Sequence, residues 1–441
     1  MKKLIPTIYL FVLMAGLVQP GRVMAQPGQA SGPAQATATW RHWALTGVTI
    51  IDASRPQPVT GQTVLIRDGS IEAVFPDGSR PLADSIVTIR MKGKFLLPGL
   101  TDTHVHMATD PSGVDKREAS LVVLQRMLYS GITSVRDMAG DARVLAGMSR
   151  DARLGEIPSP DIYFSALMAG PSFFDDPRTI ASAQGGIAGR MPYMRAVTDT
   201  TALRLAIAEA KGTGATGIKL YANLDAALTA RIVAEANKQG VLVWGHAWLD
   251  PARPSDLVKA GVSSISHSPL LAYEKMNSVP PGWKKQGLPE RFWRDSLPDE
   301  SALFALMKEK GTILDATLSA YRVWARKDTA MQYSYEIGKR LTAAAYRAGV
   351  TICAGTDDDQ EGFVQSEMAL LVHDAGMSPR DAIIAATLHG AEALRIAGSC
   401  GTIEPGKKAN LLLLDTNPLE EIEHIRAVAL VVKDGRICWR E

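Results

Sequence analysis

The middle of the chain alternates between short segments rich in β-branched residues and amphipathic helical segments. Candidate strands are residues 133–136, 161–165, 217–221, 241–244, 263–266, 312–316 and 350–354. Helical patterns lie between most of them, at residues 119–129, 202–211, 226–238 and 301–310. Strands that alternate with helices indicate βαβ units and a parallel sheet. With the strand that leads to residue 106 the count is eight, so we predict a (β/α)8 barrel over residues 98–397, with its functional groups at the carboxyl ends of the strands.

The two ends of the chain have a different character, because both consist of short strand-like segments separated by turn residues. At the amino-terminal side these segments are residues 45–51, 63–67, 70–75 and 85–90, and at the carboxyl-terminal side residues 409–415 and 428–432. Asp68-Gly69 between two of them is a strong hairpin signal. We predict that residues 40–97 and 398–441 pair into one small β-sandwich domain.

The first 25 residues have the pattern of a secretory signal peptide. Lys2 and Lys3 precede an apolar run over residues 4–18, and Ala25 offers a small residue at a cleavage site. The alternative is a membrane anchor, but the run is short for a span of about 20 residues. We therefore expect cleavage after Ala25, a flexible leader over residues 26–39, no membrane association of the mature chain, and a periplasmic or secreted protein.

Composition excludes some partners. The 441-residue chain is 46% hydrophobic and 21% charged, which is ordinary for a globular protein with a large core. Its formal net charge is +2 and it has no Lys/Arg-rich block, so nothing indicates a nucleic-acid partner. A homo-oligomer is compatible with the sequence, which does not specify the oligomeric state.

Two histidines follow an apolar run that is broken by Pro98-Gly99. Successive side chains point to opposite faces of a strand, so His104 and His106 share one face while Val105 points away. Two imidazoles in this arrangement can bind one metal ion from the same side. An isolated His-x-His pair is also found as two histidines packed or exposed near a turn, so this pair alone does not establish a metal site.

The predicted fourth strand carries a lysine, Lys219, between Ile218 and Leu220. A solvated lysine is disfavoured here because strands of a parallel barrel are covered on both faces. Burial lowers the pKa of an ammonium group towards the neutral amine. A neutral amine can capture CO2 to become a carbamate, which bridges two metal ions as a carboxylate would.

Polar residues also end the fifth, sixth and eighth predicted strands, at His246, His267 and Asp357. Either histidine alone would more often be structural, but both fall at the end of the barrel that holds His104 and His106. The Asp357 carboxylate is suited to be a metal ligand and a general base. Its alternative is a loop carboxylate or a helix cap.

In chain order these residues resemble the metal-binding motifs of the amidohydrolase superfamily. Three further segments resemble the same superfamily: GITSVRD at residues 131–137, ATLHGA at residues 386–391 and GTIEPGKKANL at residues 401–411. The resemblance extends over nearly all of the chain after the leader. The chain looks most like the imidazolonepropionase-related group and the Xaa-Pro dipeptidase-like members.

The resemblance implies a binuclear metal centre, usually of zinc. The implied ligands are His104, His106 and Asp357 for the more buried ion, His246 and His267 for the more exposed ion, and a carboxylated Lys219 that bridges the two with a hydroxide. The implied protein is an exported hydrolase that cleaves an amide or peptide C–N bond of a small-molecule or short-peptide substrate, with Asp357 as the catalytic base.

Two other function classes stay open at this stage. A mononuclear deaminase or imidazolone-type hydrolase of the same superfamily is one, although deaminase relatives place a glutamate soon after the fifth-strand histidine and residues 247–250 contain none. A catalytically inactive binding protein is the other, and it should have lost metal ligands. Substrate choice would be set by the long loops at residues 170–199 and 273–300.

Two residues are candidates for substrate contacts. Arg136 ends the predicted second strand and could pair with a substrate carboxylate, or equally form a structural salt bridge. Tyr221, just after Lys219, is a weaker candidate of the same kind.

Three cysteines, Cys353, Cys400 and Cys438, would enter an oxidising compartment on export. Cys353 is expected to be a buried free thiol in the eighth strand. Cys400 and Cys438 flank the carboxyl-terminal strands, so we expect either a disulfide between them or two free thiols.

Overall fold

A computed structural model of the chain describes residues 40–108, 116–275, 299–357 and 362–440. The predicted signal peptide and leader, residues 1–39, lie outside the described residues, as does most of the predicted loop at residues 273–300. Within the described ranges, every helix is too short or too polar to cross a membrane.

The secondary structure follows the predicted alternation. The strands of the described chain are β1 (His42–Ile50), β2 (Val59–Arg67), β3 (Ser70–Pro76), β4 (Val87–Arg90), β5 (Phe95–Pro98), β6 (Leu100–Val105), β7 (Ile132–Asp137), β8 (Asp161–Ala169), β9 (Arg190–Met191), β10 (Met194–Ala196), β11 (Gly217–Leu220), β12 (Leu242–His246), β13 (Ser264–Ser266), β14 (Ile313–Asp315), β15 (Ile352–Cys353), β16 (Leu411–Leu414), β17 (Val428–Lys433) and β18 (Arg436–Arg440). The α-helices are α1 (Arg117–Tyr129), α2 (Ala142–Leu154), α3 (Pro177–Ala183), α4 (Leu203–Gly212), α5 (Ala226–Lys238), α6 (Pro254–Ala260), α7 (Ser301–Lys310), α8 (Leu318–Lys327), α9 (Gln332–Ala348), α10 (Phe363–His373), α11 (Pro379–Ala385) and α12 (Leu388–Ala393). Single 3-10 segments occur at Pro171–Asp175, Ser268–Lys275, Thr329–Met331 and Ile422–Arg426.

The parallel barrel is confirmed. In the described chain its eight strands hydrogen-bond in the order β6, β7, β8, β11, β12, β13, β14 and β15. The register places Lys219 of β11 beside Leu167 of β8 and Trp244 of β12. Between β15 and β6 the backbone N–H of Thr103 donates to the carbonyl of Ala354 at 3.0 Å. The barrel is therefore nearly closed, and all its strands end on one side.

Local sequence explains where many of the barrel helices begin and end. Asp141 and Asp225 precede α2 and α5, and their carboxylates accept hydrogen bonds from first-turn backbone N–H groups. Gly155 and Gly349 follow α2 and α9 in the left-handed region, at φ of 69° and 78°, which only glycine adopts without strain. These signals fix the helices that flank the site.

The two chain ends pair into a separate mixed sheet, as predicted. Its order is β18-β17-β16-β5-β1-β2-β3, with β4 also paired to β1. The middle strand β5 is parallel to β1 and antiparallel to β16, so it joins the two chain ends. The Asp68-Gly69 turn connects β2 to β3 with both residues at positive φ, as a two-residue hairpin requires. One apolar cluster from both ends, including Trp43, Leu96 and Leu413, forms the core of this sheet.

Ion pairs join the sheet to the barrel. Asp161 begins β8 and is almost fully buried, and its carboxylate lies 2.8 Å from Lys433 Nζ and 3.0 Å from Lys408 Nζ. Asp434 also contacts both lysines, at 3.0 and 3.1 Å. A buried carboxylate is stable only with such partners, so these contacts hold the carboxyl-terminal strands against the barrel.

The cysteines form no disulfide. Cys353, Cys400 and Cys438 are all free thiols, so of the two alternatives for Cys400 and Cys438 the structure has the free thiols and not the disulfide. The Cys438 sulfur instead lies 3.5 Å from the Arg436 carbonyl, and Cys400 contacts Ser399. Cys400 and Cys438 both lie next to strands of the same sheet. A position next to a strand in the sequence does not by itself place two sulfur atoms within bonding distance.

Candidate metal centre and active site

The carboxyl ends of the barrel strands surround a cavity of about 340 Å³. Six of the eight side chains that the sequence predicts for the site line it: His104, His106, Tyr221, His246, His267 and Asp357. The other two, Lys219 and Arg136, are fully buried within the barrel and lie outside the cavity lining. The fold therefore brings residues from the first, fourth, fifth, sixth and eighth strands to one place.

His104 is held at the end of β6 by a carboxylate that the sequence analysis missed. Its Nδ1–H donates to Asp315 Oδ2 at 2.8 Å, and both side chains are buried. This bond leaves Nε2 free, 3.6 Å from Asp357 Oδ1. Burial lowers the pKa of His104 to about 4, with Asp357 opposing and Lys219 adding to the shift. The imidazole is therefore neutral near pH 7, the form that binds metals.

His106 and Asp357 contact each other in the cavity. His106 Nε2 lies 3.0 Å from Asp357 Oδ1, while the other oxygen, Oδ2, lies 3.8 Å from His267 Nδ1. Burial alone would raise the pKa of the Asp357 carboxyl, but the neighbouring His104 imidazole and the hydrogen bond and charge of His106 hold it well below its usual range. The carboxylate is therefore ionised and surrounded by imidazoles.

Lys219 lies at the centre of the barrel. Its Nζ is fully buried and 3.3 Å from Ser266 Oγ, to which it donates. Burial lowers the pKa of this amine to about 7; the charge of Asp315 opposes the shift and that of Arg136 adds to it. A substantial neutral fraction near pH 7 follows, so the amine is chemically capable of reacting as a nucleophile.

His246 and His267 complete the imidazole cluster. Their rings are perpendicular with centroids 4.4 Å apart, and the His267 centroid is 5.0 Å from that of His104. His267 Nδ1 is hydrogen-bonded to Thr317 Oγ1 at 2.9 Å. His267, Thr317 and Asp357 have φ of 76°, 54° and 49°. Such left-handed backbone costs of order 1–3 kcal/mol per non-glycine residue and clusters at functional sites.

The two predicted substrate contacts have different surroundings. Tyr221 lines the cavity and packs on His246, with ring centroids 3.9 Å apart. Arg136 is fully buried and donates to the Thr103 carbonyl at 2.6 Å, to Ser264 Oγ at 2.9 Å and to Asp315 Oδ2 at 3.2 Å. The structure thus places Arg136 in the structural salt bridge that was its alternative. Its donors face β6, β13 and β14 rather than the cavity.

Asp315 is one residue of the candidate site that sequence reasoning overlooked. It accepts hydrogen bonds from His104, Ser266, Thr103 and Arg136. Burial would raise the pKa of its carboxyl, but His104, Arg136 and Lys219 hold it well below its ordinary value. The available signal was a carboxylate that ends the apolar strand Ile313-Leu314-Asp315, in the same way as Asp357 follows β15.

A second overlooked carboxylate, Asp102, fixes the segment that carries Asp357. Asp102 accepts hydrogen bonds from the Thr356 N–H at 3.1 Å and the Thr356 hydroxyl at 2.8 Å. Asp357 in turn donates its backbone N–H to the His104 carbonyl at 2.8 Å. The strand with the first two histidines and the segment with Asp357 therefore hold each other in register.

The chemistry of these side chains fits a divalent metal ion. One donor atom from each of His104, His106 and Asp357 lies within 4.8 Å of the other two. Imidazole nitrogens with a carboxylate oxygen are a common donor set for zinc. His106 Nδ1 is a buried nitrogen with no hydrogen-bond partner among the described residues. The cluster thus contains a buried polar atom that the described residues leave without a hydrogen bond.

The cavity walls are mainly aromatic and apolar. Phe173 stacks on Tyr221 with ring centroids 4.3 Å apart, and Trp248 and Tyr321 also line the space. Arg178 of α3 is the single guanidinium among the described lining residues. It is held by Asp176, whose Oδ2 lies 2.8 Å from Arg178 Nη2. Segment 170–199, one of the two long loops expected to set substrate choice, contains α3, β9 and β10 and supplies this side of the cavity.

A parallel barrel with histidines and a carboxylate at the carboxyl ends of its strands is the architecture of a barrel enzyme with a metal site. The sequence model of the amidohydrolase family matches residues 95–438, and the chain belongs to this family. It is therefore a hydrolase of the amidohydrolase type, as its sequence motifs predicted.

Individual relatives agree with this assignment. The chain is 26% identical to an ochratoxinase of Aspergillus niger over 438 residues, which covers 86% of this chain and 83% of the relative. It is 26% identical to an imidazolonepropionase of Salinispora tropica over 391 residues, covering 80% and 85%. Among solved structures, a Xaa-Pro dipeptidase with bound methionine in its active site superposes with a TM-score of 0.74 at 23% identity, covering 91% of this chain and all of that one.

Proposed function

We propose that the protein is an exported, binuclear metal-dependent hydrolase that cleaves an amide or peptide C–N bond. The observation that carries the proposal is Lys219 itself, a fully buried amine of β11 whose Nζ lies 3.3 Å from Ser266 Oγ, at the end of the strand that leads to His267. The single-ion alternative assigns this amine no part in the chemistry. A carbamate formed from that amine and CO2, with release of one proton, would supply the bridging carboxylate.

The residues divide the work between binding and proton transfer. His104, His106 and Asp357 would hold one ion, His246 and His267 the second, and carboxylated Lys219 both. When bound, two divalent ions, zinc being suited to these donors, would polarise the scissile carbonyl and lower the pKa of a water molecule. Asp357 would accept the proton of the attacking water and deliver it to the leaving nitrogen.

Two features support Asp357 as this base. Its two oxygens face different imidazoles, Oδ1 towards His106 and Oδ2 towards His267, so it lies between the two halves of the cluster. The backbone that carries it is held in place, because the Asp357 N–H donates to the His104 carbonyl and the neighbouring Thr356 hydroxyl donates to Asp102. A base held in this way needs little reorganisation for proton transfer.

The cavity supports a substrate with a free carboxylate and an apolar group. Arg178 offers guanidinium donors to a carboxylate, and Tyr221 contacts Arg178 from the side of the imidazoles. Phe173 and Trp248 supply flat apolar surface for the remainder. The relative that holds methionine in its active site is a Xaa-Pro dipeptidase, and another is an ochratoxinase. We infer that dipeptides and N-acyl amino acids are the substrate class.

A second candidate function is a mononuclear hydrolase of cyclic amides, of the imidazolone type, or a deaminase. It is favoured by the imidazolonepropionase relative and by the compact His104, His106 and Asp357 group, which suffices for one ion. It gives Lys219 no part in the chemistry. A catalytically inactive binding protein is the third candidate, and the complete set of predicted ligands argues against it.

Metal analysis of the purified protein, combined with a substrate panel, tests the proposal. We expect about two divalent ions per chain and hydrolysis of dipeptides or N-acyl amino acids, with weaker hydrolysis of the same compounds capped as carboxamides. One ion per chain with hydrolysis of cyclic amides would establish the second candidate. No metal and no turnover would contradict both. Export is tested separately by amino-terminal sequencing, which should show a mature chain that begins after Ala25.

A further inference from the structure

Thr317 combines an unusual backbone with a functional contact. It precedes α8 and has φ of 54° and ψ of 40°, a conformation that is strained for a β-branched residue. A threonine in this position normally caps the helix with its own hydroxyl. Here the hydroxyl makes no capping bond and instead contacts His267 Nδ1 at 2.9 Å. The start of α8 therefore needs another acceptor.

That acceptor is Glu367, from the middle of α10. Its Oε1 accepts the N–H of Leu318 at 2.9 Å and its Oε2 accepts the N–H of Ser319 at 2.7 Å. The Glu367 side chain is fully buried, and burial raises the pKa of its carboxyl to about 8, with the two N–H groups opposing. Both oxygens can accept in either protonation state, since each keeps a lone pair.

The helix held in this way also forms a wall of the cavity. Tyr321 and Trp324 of α8 line it, and the Tyr321 ring lies 6.2 Å from the ring of His267 in an edge contact. The Glu367 side chain therefore fixes the start of α8. Thr317, the hydrogen-bond partner of His267, precedes this helix, and the wall residues Tyr321 and Trp324 lie on it. None of these contacts requires Glu367 to touch the substrate.

We propose that Glu367 is a positioning residue that replaces the hydroxyl of Thr317 as the cap of α8, so that this hydroxyl can orient His267 while Tyr321 and Trp324 keep their places in the cavity wall. The inference rests on the proposed metal-dependent function. Glu367 then has two separate effects. It supports metal retention through His267, and it supports substrate binding through the cavity wall.

Glu367→Gln is the main variant. It replaces one of the two acceptor oxygens by an amide NH2, so one backbone N–H at the start of α8 would face a donor and lose its hydrogen bond. We expect metal affinity to fall about 10- to 100-fold, as for other groups that orient ligands, seen as loss of one of two ions on dialysis. When excess zinc is added back, kcat should recover while KM stays raised several-fold, up to about tenfold, the effect of one lost hydrogen bond at the start of α8.

Thr317→Val separates the two effects, because it keeps the β-branched shape and removes only the hydroxyl. It should lose metal on dialysis as Glu367→Gln does, but added zinc should restore both kcat and KM. Ser378→Ala is the matched control, since it removes the side-chain acceptor that caps α11, away from the cavity lining. It should lower thermal stability while leaving metal content, kcat and KM as in the wild type.

The outcomes distinguish this inference from the proposed function. Wild-type protein that holds no second ion would overturn the proposed binuclear function. Wild-type protein with two ions, and a folded Glu367→Gln variant that keeps both ions and an unchanged KM, would overturn the positioning role alone. A Glu367→Gln variant that recovers KM completely with added zinc would contradict the role in the cavity wall.

Discussion

Asp315 Oδ2 lies 2.8 Å from Nδ1 of His104, and neither side chain is accessible to solvent. The bond fixes the tautomer and the ring orientation of the imidazole, so that Nε2 faces the cavity. The same carboxylate accepts from Arg136 and Ser266, and Ser266 in turn accepts from Lys219. One residue of the seventh strand therefore organises side chains from the first, second, fourth and sixth strands.

The first prediction concerns Asp315. Asp315→Asn should weaken metal binding about 10- to 100-fold, because an amide orients His104 less strongly than a carboxylate. Metal retained after dialysis against a graded series of chelator concentrations measures the effect. Asp381→Asn, which changes a carboxylate that is bonded to Tyr346 outside the cavity lining, is the control and should retain metal normally. Equal retention in both variants would contradict the assignment.

The second prediction concerns Lys219. Lys219→Ala should abolish hydrolysis and lower the metal content, since the proposed bridge between the ions is lost. A short carboxylic acid added to the protein should restore part of the activity by taking the place of the carbamate. If Lys219→Ala retained two ions and full turnover, the carbamate would have no role.

The third prediction concerns Asp357. Asp357→Asn should lower kcat by about two orders of magnitude or more, the usual contribution of a general base. Because the carboxylate is also a proposed ligand, the assay is run with excess metal and the bound metal is counted in the same sample. Near-normal turnover in a metal-loaded variant would exclude Asp357 as the base.

The fourth prediction concerns Arg178. Arg178→Ala should raise KM about tenfold or more for substrates with a free carboxylate, because a charge-assisted pair is lost. The same substrates capped as carboxamides supply the internal control, since their KM should change little. A parallel rise for both series would show that Arg178 shapes the wall without binding the carboxylate.

The fifth prediction concerns the contact between sheet and barrel. Asp161→Ala should lower the free energy of unfolding by about 3 kcal/mol, because it removes the closer of the two carboxylates that pair with the buried Lys433 and leaves Asp434 alone. Urea unfolding measures the change. Arg41→Ala, which breaks the exposed Arg41–Asp68 pair, should cost no more than about 1 kcal/mol. Similar losses in the two variants would argue against a role for this cluster in joining the domains.

The sequence by itself determined the kinds of elements and most of the polar residues at the strand ends. The period of an amphipathic helix and the turn at Asp68-Gly69 are local properties, so these elements could be predicted without the fold. The motif that contains His104 and His106, together with Lys219, carried the family assignment. Eight predicted strands indicated a (β/α)8 barrel, and in such a barrel residues at the carboxyl ends of the strands lie on the same side.

Only the tertiary structure decided which buried side chains pair with one another. Arg136 donates a hydrogen bond to Asp315, and Cys400 and Cys438 form no disulfide. Glu367 accepts a hydrogen bond from the start of a helix that lies almost 50 residues earlier in the chain. Such contacts depend on the register between strands and on the packing of helices against them. Those are set by the sum of many long-range interactions, and no local pattern of residues encodes them.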